Sequence, residues 1–74
     1  MEKLQGVRCV TQWRNLYVLA CEGKPRTIRF MNKDRKLLAP VVSLAVSQLG
    51  VWPDGRLAAV VESSKEIVLL SMNL

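Results

Sequence analysis

The stretch PVVSLAVSQLG, Pro40 to Gly50, decides the fold, because it reads two ways. As a helix, Pro40 opens it and Gly50 stops it, the usual asymmetry of helix ends. Val41, Leu44, Ala45 and Leu49 then line one face. As a strand, Val42, Leu44 and Val46 alternate with Ser43, Ala45 and Ser47. The bounding Pro and Gly favour the helix, and the run from 41 to 50 is long beside the other apolar runs of the chain. The expectation is a short helix near 41–49.

On both sides the apolar runs are short, partly β-branched and separated by turn residues, the pattern of strands. LQGVRCVT (4–11), NLYVLACE (15–22) and RTIRFM (26–31) read as three strands, with turns at QWRN, EGKP and NKDR. KLLAP continues the third strand after a bend or forms a short one. Beyond the ambiguous stretch, Pro53-Asp54-Gly55 is strong turn chemistry: Pro presets φ, Asp caps its own backbone and Gly takes the positive φ. RLAAVVE (56–62) and EIVLLSM (66–72) follow as a hairpin about the SSK turn.

Several of these strands are apolar on both faces. Leu16, Val18 and Ala20 oppose Tyr17, Leu19 and Cys21, and Ile67 and Leu69 oppose Val68 and Leu70. A sheet with one wet face shows polar residues there, so a helix, a curled wall, a neighbouring blade or another subunit must cover the second face. Shifting the chain by 41 lays Leu16 on Leu57, Lys24 on Lys65 and Met31-Asn32 on Met72-Asn73, hairpin over hairpin.

A chain of 74 residues is one domain, 1–74, with a core that needs tight packing or a partner. Half of it is apolar, which is unlike a disordered chain, yet no run is long enough for a membrane span. The N-terminus lacks the apolar core of a signal peptide. A soluble, cytoplasmic chain without a membrane partner is expected. In a plain hairpin register Cys9 faces Val18, roughly 10 Å from Cys21 at strand rise, beyond disulfide reach. The two cysteines therefore read as buried free thiols.

The net charge of +5 is uneven. Residues 1–36 carry nine basic and three acidic side chains, and residues 37–74 two basic and three acidic. Such asymmetry points to a basic face for an anionic partner. With no histidine, the chain has no His-based general base and no Ser-His or Cys-His pair. Glu2, Glu22, Asp34, Asp54, Glu62 and Glu66 are scattered, and no phosphate-binding glycine motif is present. The expectation is a non-enzyme with no catalytic residue, no metal and no cofactor.

With the helix, the order β-β-β-α-β-β is that of a mainly β, five-stranded antiparallel barrel of OB type. LQGVRCV, the NLYVLACEGK hairpin and NKDRK resemble the opening half of bacterial translation initiation factor one, over residues 4–36. That family has a Gln-Gly before its first strand, an Asn-led second strand and a basic loop. The resemblance implies RNA contact through Lys33, Arg35 and Lys36, although Asp34 interrupts the loop and Asn32 replaces its glycine. The alternative is a fragment of a β-propeller, or an all-β barrel without helix. GVWPDGRLAAVVESSKEIVLLSM, from Gly50, looks like a WD-repeat-type blade, in which such a turn leads into the second strand.

Binding is then the expected function. The first reading is contact with RNA or single-stranded nucleic acid through the Lys24–Lys36 segment, with Arg8, Arg14, Lys24, Arg26, Arg29, Lys33, Arg35 and Lys36 as the binding residues. The second is a small regulatory or inhibitory protein docking on a larger, acidic-surfaced protein through Trp13 or Trp52. A subunit stable only as an oligomer is a third. Trp13, in a polar turn, can also be a lid over the barrel end, and Trp52 a staple for its hairpin. Phe30 and Tyr17 are expected in the core. Arg29 lies between Ile28 and Phe30 and so points away from them, with Thr27 and Met31 beside it.

Overall fold

A computed structural model describes residues 5–71 of the chain. Its elements are seven strands: β1 (Val7–Trp13), β2 (Leu16–Cys21), β3 (Thr27–Met31), β4 (Leu37–Ser43), β5 (Val46–Val51), β6 (Leu57–Val61) and β7 (Ile67–Leu70). They form two antiparallel meanders, a four-stranded sheet in the order β1-β2-β3-β4 and a three-stranded sheet in the order β5-β6-β7. The four-stranded sheet packs through β1 and β2 against β5. Neither sheet closes on the other, so the fold is mainly β and is not a closed barrel.

The expected helix is absent. Residues 41–50 instead end β4, cross at Leu44-Ala45 and begin β5. The alternation noted for the strand reading is the one that folds: Val42 and Leu44 pack on the core and Val46 is buried within it, while Ser43 and Ser47 are exposed. β-Branched valines at 41, 42 and 46 suit an extended backbone. Pro40 lies on an edge strand, within the irregularity where the β3–β4 register shifts between Arg29 and Met31, and there its missing N–H breaks no central ladder. Gly50 pairs with Ala58 inside β5 rather than stopping a helix. What covers the first sheet is thus a second sheet.

The turns follow their residues. Gly55 N–H donates to the Trp52 carbonyl at 2.8 Å, and Asp54 Oδ1 accepts from the Arg56 N–H at 3.1 Å. Gly55 takes φ 92°. That Arg56 amide, with its side chain behind it, holds the Asp54 carboxyl below its ordinary value. The β3–β4 turn copies this plan with Asn32, which accepts from the Asp34 and Lys36 amides through Oδ1, and with Arg35 at φ 64°. Leu4, Met72 and Asn73, which the sequence reading placed in strands or in the repeat, lie outside the described residues. Within them, the shift of 41 lays the start of β2 on the start of β6.

The core lies between the sheets. Trp13, Val18, Ala20, Ile28 and Phe30 meet Val46, Leu57 and Ala59 there. Trp13 joins the two layers: its indole N–H donates to the Gly55 carbonyl at 2.8 Å, and its ring tilts against Phe30 at 6.4 Å. At the other end Glu62 accepts from Arg8 and from Arg26, and Arg8 also reaches Glu22.

Candidate functional site

Strand pleating sends alternate residues to opposite faces. The registers therefore define the outer face of the four-stranded sheet, the side turned away from β5. One row reads Val10, Leu19, Arg29, Val41 across β1 to β4. The next reads Gln12, Tyr17, Met31, Leu37, and the one on the other side Val7, Cys21, Thr27, Ser43. Among the described residues no element packs on this face. Its apolar members are nevertheless large: Val10 is 58% exposed, Leu37 49% and Val41 48%. Leu19 and Met31 are buried in its midst.

Val7 and Val10 reach the same face because the β1–β2 register shifts between Val7 and Cys9. The extra residue, Arg8, is released toward Glu22 and Glu62. The tight turn at Arg14-Asn15, with Trp13 paired to Leu16 and Arg14 at φ 55°, corrects the expected turn over 12–15 and with it the pairing of Cys9 with Val18: Cys9 lies opposite Ala20, and Thr11 takes Val18. Both cysteines are free and half-buried. Burial pushes the Cys21 thiol up, while the Arg29 charge and a hydrogen bond with Thr27 pull the other way. Tyr17, expected in the core, stands on the outer face at 36% exposure.

Arg29 is the one charged side chain in these three rows. Its Nε is buried and has no hydrogen-bond partner among the described residues. An orphaned buried donor is costly, and a charged one more so. Two open depressions lie on this face. The larger, about 590 Å³, is floored by Leu19 and Met31 and rimmed by Lys33 and Arg35. The smaller, about 280 Å³, brings Arg29 together with Cys21, Thr27 and Leu37.

The other basic side chains do not join Arg29 in one groove. Arg8 and Arg26 share Glu62 at the β6 end, and Lys24 is exposed in the β2–β3 loop beside them. Arg14, Lys33, Arg35 and Lys36 fall in the turns at the opposite end. Arg14 lies over the Trp13 ring at 4.4 Å. Trp13 itself is 2% exposed and inside the core, whereas Trp52 is 41% exposed. Among the described residues no three His, Cys, Asp or Glu side chains gather as metal ligands, and no helix is long and apolar enough to cross a membrane. The residues alone place Arg29 on this face but give no sign of the orphaned Nε, which depends on how the side chain packs between β2 and β4.

No protein-family model, curated protein or solved structure matches this chain.

Proposed function

We propose that this chain is a non-enzymatic docking module that binds protein by laying the outer face of its four-stranded sheet against another apolar sheet surface. The observation that carries the reading is Arg29, whose orphaned Nε sits in the middle of large apolar side chains. A partner that supplies an acceptor to the accessible part of the half-buried Arg29 side chain, and apolar side chains around it, covers the charge and the apolar rows together. Tyr, Met and Arg are the residue types enriched in protein interfaces, and Tyr17, Met31 and Arg29 are neighbours on this face.

The same reading takes the two meanders as successive propeller-type blades. The shift of 41 that lays β2 on β6 supports it, as do the Pro53-Asp54-Gly55 turn and the apolar outer faces. A blade stack buries each face against its neighbour. Nucleic acid is the lesser reading. Single-strand binders need stacking aromatics beside free cations. Here Trp13 is buried, Arg8 and Arg26 are engaged by Glu62, and a single tyrosine, Tyr17, shares a depression with Lys33 and Arg35.

A photo-crosslinking residue at Val41 tests the proposal in cells producing the full chain. Discrete protein adducts are expected that survive nuclease, disappear with Arg29→Glu and persist with Lys24→Glu. Nuclease-sensitive adducts would instead assign the face to nucleic acid, and adducts indifferent to Arg29 would reject the face.

A further inference from the structure

We infer that the larger depression of this face seats an acidic side chain of the docking partner, an aspartate or glutamate carried between apolar residues of an extended strand; the inference rests on the docking reading above. Leu19 and Met31 are buried beneath the depression, Val10 and Tyr17 line it, and Lys33 and Arg35 rim it from the β3–β4 turn. Among the described residues no acidic side chain lines it. Asp34 lies between the two cations in sequence but does not line the depression. The volume, about 590 Å³, exceeds that of any one side chain, so a charged group enters together with apolar neighbours.

The chain contains its own control for these two cations. The β3–β4 and β5–β6 turns share one hydrogen-bond plan: the Asn32 N–H donates to the Lys36 carbonyl and the Arg35 N–H to that of Asn32, as Trp52 does to Arg56 and Gly55 to Trp52. In that match Lys33 stands where Pro53 stands, and Arg35 where Gly55 stands. Pro and Gly are residues that turns favour. Arg35 instead holds φ 64°, a left-handed conformation that suits glycine. Closing the turn therefore asks for neither cation, and Arg35 sits there against backbone strain. What the two residues add is positive charge beside an apolar floor.

Charge complementarity names the occupant. A guanidinium fork with an ammonium beside it suits a carboxylate. A phosphodiester backbone meets the same cations, but it leaves Leu19, Met31 and Val10 uncovered and finds one aromatic to stack on. An apolar strand bearing one carboxylate covers the floor and meets the charge together. Alternation along that strand keeps the carboxylate and its second-neighbour apolar residues on the contacting side.

Titration of the isotope-labelled full chain with short peptides tests this, read by NMR from the Met31 methyl and Tyr17 ring signals. The peptides carry a central glutamate, glutamine or lysine, with valine on its face and threonine on the other. The glutamate peptide should bind about tenfold tighter than the glutamine one, the order of a hydrogen bond to a charged group. Lys33→Glu with Arg35→Glu should reverse the order and favour the lysine peptide, while Lys24→Glu, in the β2–β3 loop, should leave it alone. Arg35→Gly should reduce the preference and leave the urea midpoint unchanged or higher. A lower midpoint with the preference intact would make Arg35 a residue of the fold and overturn the inference. Equal binding of the three peptides, no shift with any of them at millimolar concentration, or shifts caused by a short single-stranded RNA and not by the glutamate peptide would also overturn it. In cells, Val41 adducts that depend on Arg29 but ignore Lys33→Glu with Arg35→Glu would overturn this inference alone. Val41 adducts indifferent to Arg29 would reject the docking reading, and this inference with it.

Discussion

Replacing Trp13 by Phe tests what holds the two sheets together. The indole is 2% exposed, and its N–H donates to the Gly55 carbonyl of the other sheet's turn at 2.8 Å. Phe keeps one ring against Phe30 and removes the bridge. The lost hydrogen bond costs about 1 kcal/mol. The missing ring adds about 1–2 kcal/mol in transfer and cavity terms. The sum, about 2–3 kcal/mol, is large beside the roughly 4–11 kcal/mol expected of a chain this size. In a thermal scan it corresponds to a drop of roughly 10–20 °C. Urea unfolding followed by far-UV circular dichroism measures it, at a concentration where parent and variant are both monomeric, since assembly raises apparent stability. Trp52→Phe, at an exposed position, should shift stability by less than about 0.5 kcal/mol. The parent should show one buried, blue-shifted tryptophan and one exposed. If Trp13→Phe unfolds within about 0.5 kcal/mol of the parent with an unchanged slope, the indole does not join the layers and the core assignment fails.

Glu62→Gln should cost about 1 kcal/mol, because Glu62 is the common acceptor of Arg8 and Arg26, and the difference should shrink in molar salt, since the group is partly exposed. Asp54 has a folded-state value lowered by the Arg56 amide. Its contribution is therefore present above the ordinary aspartate value near 3.8 and is lost as pH falls below it. Asp54→Asn should remove that part of the acid dependence, read as the difference between the two urea midpoint profiles from neutral to acid. Gly55→Ala should destabilise by about 1 kcal/mol through backbone strain alone, since φ is 92° and an added Cβ meets nothing within 4 Å. Gly50→Ala, which has the same open space without a positive φ, should be neutral or stabilising by about 0.5 kcal/mol in the monomer; an equal loss at both would show that strain is not the cause.

Local chemistry made most of the hairpins legible. Asp54 and Gly55 do in the structure what their side chains permit anywhere, because a turn is closed by atoms within four residues. The strands at 16–21, 57–61 and 67–70 lie within the runs read as strands, since alternation and β-branching act over the same short range. Arg29 facing away from Ile28 and Phe30 was readable for that reason. The stretch from Pro40 to Gly50 reads as a helix although it folds as strands, because its end signals are local and its burial is not. Pro and Gly mark a helix in isolation, but Val46 is buried only where β5 lies over β1 and β2.

The same division runs through the candidate site. Residue order alone determined the strands at 16–21, 27–31, 57–61 and 67–70, the Pro53-Asp54-Gly55 turn, the apolarity of both faces and the lack of histidine chemistry, all of which depend on side-chain type and near neighbours. Only the tertiary structure decided that Trp13 is a joint between layers, that Arg8 and Arg26 are tied to Glu62 across the chain, and that the Arg29 Nε is left without an acceptor. Those facts arise where segments distant in sequence exclude water together, and burial of that kind belongs to the packed sheets rather than to any one stretch of the chain.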